Sequence, residues 1–151
     1  MLYIDVELQP IPQNILTDEQ HRMEAGVNFE QWLAAWSRIG IIPTDTEIQL
    51  NYDGVIQAED GAVNVSLFVY GGMEIRSRIT FFVNHQPVQV NGGADFIEVQ
   101  MQDGEMAVID VELSLEALED FNSFYAMMMA TGEDYHGQDI FKVRTLLLVN
   151  E

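Results

Sequence analysis

Apolar and polar residues alternate along much of this chain, and the period of the alternation predicts its elements. Residues 2–8 set Leu2, Ile4, Val6 and Leu8 on one face and Tyr3, Asp5 and Glu7 on the other. A period of two is that of a half-buried strand. Pro10 and Pro12 force an extended loop after it. Thr17-Asp18-Glu19-Gln20 has the capping-box pattern, so a short helix is expected from Thr17, interrupted at Gly26. The period then changes to that of a helix. Asn28 suits an N-cap, Gly40 suits the stop before Pro43, and Phe29, Trp32, Leu33, Trp36 and Ile39 form one apolar stripe between them. Two tryptophans one turn apart make either a ridge for a partner or a plug that seats the helix on a sheet. Buried aromatics dominate core energetics, which favours the plug.

From Thr46 to Leu113 the period returns to two. Ile48, Leu50 and Tyr52 lead into Asp53-Gly54, a type I′ hairpin signal, and a second turn falls at Asp60-Gly61. Residues 62–70 set Val63, Val65, Leu67 and Val69 on one face, and Gly71-Gly72 turns the chain again. Residues 73–83 oppose Met73, Ile75, Ile79, Phe81 and Val83 to Arg76, Arg78 and Thr80. Residues 87–93 form a short strand or loop, and 96–101 and 105–113 form a hairpin about Asp103-Gly104. Ser114 then caps a second predicted helix over 115–130, with Leu115, Leu118, Phe121, Tyr125 and Met128 on its apolar side. Met127-Met128-Met129 within it suits either an adaptable binding surface or core filling, the latter favoured. Residues 140–149 read as the last strand, covered on both faces where Leu146, Leu147, Leu148 and Val149 run together.

The predicted fold class is therefore α+β, with one domain over 1–151. An antiparallel or mixed β-sheet meander carries two helices packed on one face, in the order β-α-ββββ(ββ)-α-β. Hydrophobic residues make up 48% of the 151 positions, enough for a globular core. There is no cysteine, which removes disulfides and thiolate chemistry and fits a reducing cytoplasm. No apolar run is long enough to span a membrane as a helix, and the first residues lack the basic region of a signal peptide.

Charge changes this picture most. The chain holds 25 acidic and 6 Lys/Arg residues, a net charge of -19. A chain so acidic is a poor ligand for nucleic acid or anionic lipid, which ask for Lys/Arg. Between Arg78 and Lys142 lie 12 acids and no base. If they share one side, eleven of them form a partner-binding acidic face: Asp95, Glu98, Asp103, Glu105, Asp110, Glu112, Glu116, Glu119, Asp120, Glu133 and Asp134. A secondary acidic group comprises Asp53, Glu59 and Asp60. Four bases fall in pairs, Arg76/Arg78 and Lys142/Arg144, at the same spacing as the acidic pairs Asp5/Glu7 and Asp110/Glu112. Cross-strand ion pairs between such strands would consume the positive charge internally.

Catalytic patterns are few. Ile-Asp-Val-Glu-Leu occurs at 4–8 and again at 109–113. Asp-x-Glu on a strand sets two carboxylates on one face, as metal-dependent nucleases require. The first copy resembles in spacing the opening motif of the DEDD-type exonucleases. The later motifs of that family have no counterpart, since the spacing from His136 to Asp139 is wrong. His21, His85 and His136 are scattered, and no metal or cofactor site is expected.

These observations lead to a non-enzymatic inhibitor. Its expected partner is a basic protein surface, a nucleic-acid-binding groove, occupied by mimicry of the nucleic acid. Phage or mobile-element anti-CRISPR and anti-restriction proteins supply the setting, in the host cytoplasm. No direct contact with nucleic acid or membrane is expected, and a homodimer is left open. One alternative is an immunity protein or antitoxin that neutralises a basic toxin. Another is a β-rich assembly protein using Trp32/Trp36 and Met127–Met129 for apolar association.

Overall fold

Period two is realised far more widely than the sequence pattern predicts. The computed structural model describes residues 6–24, 37–49, 54–71, 75–102, 104–131 and 140–150. Along the chain these form β1 (Glu7–Pro10), α1 (Gln13–Glu24), β2 (Ser37–Pro43), β3 (Ile56–Ala58), β4 (Ala62–Gly71), β5 (Ile75–Val83), β6 (Gln86–Val88), β7 (Ile97–Met101), β8 (Glu105–Ser114), β9 (Phe121–Thr131) and β10 (Ile140–Asn150). Two sheets result. The first has the order β1-β8-β4-β2; the second has the order β3-β10-β9-β5-β6, with β7 also paired to β5. The pairings are antiparallel except β3 with β10.

One core lies between the sheets. Val63, Val65, Leu67 and Val69 of β4 meet Ile79 and Phe81 of β5 and Phe124, Ala126 and Met128 of β9 in a single cluster. Phe81 and Phe124 stack there with ring centroids 6.0 Å apart. A second, smaller core lies outside the first sheet, where Ile11 and Ile15 cover Ile42, Phe68, Tyr70 and Met106. Ile15 of α1 is fully buried. Burial of such a side chain stabilises by about 1.5–3 kcal/mol, which is what fixes a short and otherwise polar helix to the sheet.

The α+β expectation is overturned: the chain is mostly strand, with one short helix among the described residues and no pair of packed helices. Residues 115–130 do not form a helix; 115–120 are a connection and 121–131 are β9. The helix expected over 28–39 falls largely outside the described residues, and its last residues, from Ser37, belong to β2. Gly40 is therefore not a helix stop. It lies under the Phe68 ring, where a Cβ would collide. The helix expected from Thr17 exists but starts earlier, at Gln13, and Thr17 Oγ1 accepts a hydrogen bond from Gln13 Nε2 (3.4 Å) rather than capping.

The meander is corrected too. β4 and β5, and likewise β7 and β8, lie in different sheets, so the chain crosses between layers near Gly71 and Gly104 instead of forming hairpins there. Glu47–Gln49 are not strand, and Asp53 lies outside the described residues. The turn at Asp60-Gly61 is as expected: both residues have positive φ (51° and 79°), and Glu59 and Ala62 exchange backbone hydrogen bonds. In β10, Leu146 and Leu148 are buried while Leu147 is 43% exposed, so the Leu run is covered on one face only.

Candidate functional site

The predicted acidic residues that are described do not all share a face. Asp110 and Glu112 alternate with the buried Ile109, Val111 and Leu113 and so point outward from the first sheet. Glu98 alternates with the buried Ile97 and Val99 and points outward from the second, on the opposite side of the molecule. Asp95 accepts a hydrogen bond from Gln89 (3.0 Å) before β7. Glu105 accepts one from the Gln102 backbone (2.9 Å) at the start of β8. Glu116, Glu119 and Asp120 are exposed on the connection into β9, and Glu59 and Asp60 on the β3–β4 turn. Asp103, Glu133, Asp134 and Asp53 lie outside the described residues, as do Trp32 and Trp36.

A nucleic-acid mimic needs carboxylates in one array, and the described acids give that reading no support. The anti-CRISPR and anti-restriction settings are likewise without support. The expected ion pairing is also rearranged. Arg78 pairs across β5–β7 with Glu98 (2.8 Å), both side chains being more than half exposed. Lys142 and Arg144 stand opposite Met128 and Ala126 of β9, not opposite acids. Asp110 is bound instead by the Ser66 hydroxyl, which donates to it (3.0 Å). No group of three or more His, Asp or Glu suited to a metal occurs among the described residues.

A different surface stands out. The outward positions of β9 are Phe121, Ser123, Tyr125, Met127 and Met129. Beside them, Phe82 of β5 stacks on Tyr125 with centroids 4.8 Å apart. His85 tilts against the same ring (5.8 Å). On the far side of β5, the Arg78 guanidinium lies 4.2 Å from the Phe96 ring centre, a cation–π contact. Leu147 of β10 adds to the other flank, across from Ser123. Phe121 is 67% exposed, and Phe96, Met129 and Leu147 are each at least 40% exposed. Among the described strand residues of this face, Glu98 is the one carboxylate. The face is thus apolar, aromatic and almost free of the charge that dominates the rest of the chain.

Of this surface, sequence reasoning singled out Met127 and Met129 and missed the rings. Once 121–131 is read with period two, Phe121, Tyr125, Met127 and Met129 fall together; the helical reading groups Phe121 and Tyr125 with Met128, apart from Met127 and Met129.

No helix among the described residues is long and apolar enough to cross a membrane. No protein-family model matches the chain, and no curated protein matches it. Among solved structures it is similar to BcpA, the major pilin subunit of Bacillus cereus, with TM-score 0.42 and 8% identity over 76% of this chain and 40% of that one. It is also similar to a family 123 glycoside hydrolase from Clostridium perfringens (TM-score 0.39, 9% identity, 76% of this chain and 28% of that one). A third likeness is to the periplasmic chaperone SfaE (TM-score 0.37, 9% identity, 76% and 57%). The chain thus spans less than two thirds of each of these proteins, and likenesses this distant say nothing of what it does.

Proposed function

We propose that this chain is a non-catalytic β-sandwich association module that joins a protein through the outward face of its second sheet. The observation that carries this reading is the exposure of Phe121, Met129, Leu147 and Phe96 on a face whose described strand residues include one carboxylate. Contiguous apolar surface on an otherwise highly charged protein marks an interaction site, because exposing it to water costs stability without return. Rigid rings flanked by methionines suit protein contact, since the rings give area at little entropic cost and the thioethers adapt to the partner. The cytoplasmic setting expected from the composition remains part of this reading.

The test is capture from lysate of the native source at two salt concentrations. Wild-type bait should recover a partner in both, and a Phe121→Asp/Leu147→Asp bait should lose it. An Asp110→Asn/Glu112→Gln bait should retain it. Capture that survives the first pair of substitutions and is lost with the second would overturn the reading in favour of an acidic blocker of a basic protein.

A further inference from the structure

Resting on that reading, we infer that the occupant of this face is a second copy of the same chain, packed face to face about a two-fold axis. Charge selects the face. Two molecules of net charge -19 repel each other, and the outward face of the first sheet presents Asp110 and Glu112 to any approaching copy. Of the two outward sheet faces, that of the second is where this repulsion is least among the described strand residues, because they carry one carboxylate, Glu98, already matched by Arg78 (2.8 Å). A pair of opposite charges is self-complementary under a two-fold axis, the condition an isologous interface must meet.

Area sets the strength. The four strands β10, β9, β5 and β7, spaced about 4.8 Å apart, and the run from Phe121 to Met129 give a footprint of roughly 500 Å². A standard interface buries about 800 Å² on each partner. The dimer is therefore concentration-dependent. Its response to salt has a definite sign: screening weakens the repulsion between the two acidic bodies and leaves apolar contact intact, so added salt strengthens the dimer. A complex held by opposite charges would weaken instead.

Light scattering on the purified full chain tests this from about 10 μM to about 1 mM, at about 50 mM and about 500 mM salt. Expected is a mass rising toward twice that of one chain, at lower concentration in the higher salt. Phe121→Ser/Leu147→Ser should stay at one chain mass with an unchanged melting temperature, while Leu16→Ser, exposed on α1 away from this face, should dimerise like the wild type. A chain that stays monomeric throughout overturns the inference, as does a dimer indifferent to Phe121 and Leu147. Mass growing without limit would also overturn it, pointing to head-to-tail stacking. A monomer whose partner capture still depends on Phe121 and Leu147 leaves the association module standing with a different occupant.

Discussion

Asn122 is 2% exposed and ties three segments together. Its side-chain oxygen accepts hydrogen bonds from Asn84 Nδ2 (2.8 Å) and the Glu119 backbone N–H (2.9 Å). Its amide donates to the Glu119 carbonyl (2.8 Å) and the Leu148 carbonyl (3.2 Å). Asn122→Leu keeps the branched shape but strands the buried Leu148 carbonyl and the part-buried groups of Asn84 and Glu119, a buried group costing about 1–3 kcal/mol, so urea unfolding should show a loss of at least about 2 kcal/mol. A loss below about 0.5 kcal/mol would mean that water satisfies those groups. Gly40 makes a contrasting case. Gly40→Ala pushes against the Phe68 ring and should cost about 1–3 kcal/mol, and Phe68→Leu in the same chain should recover part of it. Neither role was legible in the sequence. The partners of Asn122 lie 38 and 26 residues away, and Gly40 before Pro43 has the local signature of a helix end.

β9 shows where pattern reading fails at the level of an element. Residues 121–130 contain no β-branched side chain and five of the helix formers Ala and Met, and the Met triplet is apolar on both parities, so no period distinguishes strand from helix. The strand is imposed from outside, by pairing with β10 on one side and β5 on the other. β4 was legible because Val63, Val65, Leu67 and Val69 alternate with polar residues over its first half. The two readings of β9 make opposite predictions. In the strand, Phe124→Ala empties a core site and should cost about 3–5 kcal/mol, whereas Phe121→Ser should stay within about 0.5 kcal/mol of wild type. In a helix, Phe121 would lie on the buried stripe and be the costly one. The free edge of β8 beyond β1 has its own device. Asn91 donates from its backbone N–H to the Glu112 carbonyl (2.9 Å) and from Nδ2 to the Asp110 carbonyl (3.2 Å), and accepts from the Glu112 N–H (2.7 Å). Asn91→Ala should speed hydrogen exchange at the Glu112 amide, with the core amides of β4 unaffected; unchanged exchange at Glu112 would show the edge is protected another way.

At the scale of the whole molecule, a net charge of -19 acts first on the chain itself. Self-repulsion weakens the compact state, so raising salt from about 50 mM to about 500 mM should raise the melting temperature by about 2–4 °C for each kcal/mol of repulsion screened. A fall would mean that exposed pairs such as Arg78–Glu98 outweigh the repulsion. Composition made the acidity plain. That the carboxylates divide between opposite faces, and leave one face nearly free of them, depended on which strands share a sheet, and the crossings near Gly71 and Gly104 carry no local signal of that. The central claim is that this face of the second sheet, with one carboxylate among its described strand residues, is the surface through which the molecule associates. Methionine methyl NMR reads it directly, with a soluble paramagnetic agent reporting solvent access as protein concentration rises. The account predicts that the methyls of Met129, a residue 42% exposed, and of its neighbour on the same face, Met127, become shielded as concentration increases, while those of the buried Met106 and Met128 stay as they are. Met127 and Met129 methyls equally open at every concentration, with or without a captured partner, would contradict it.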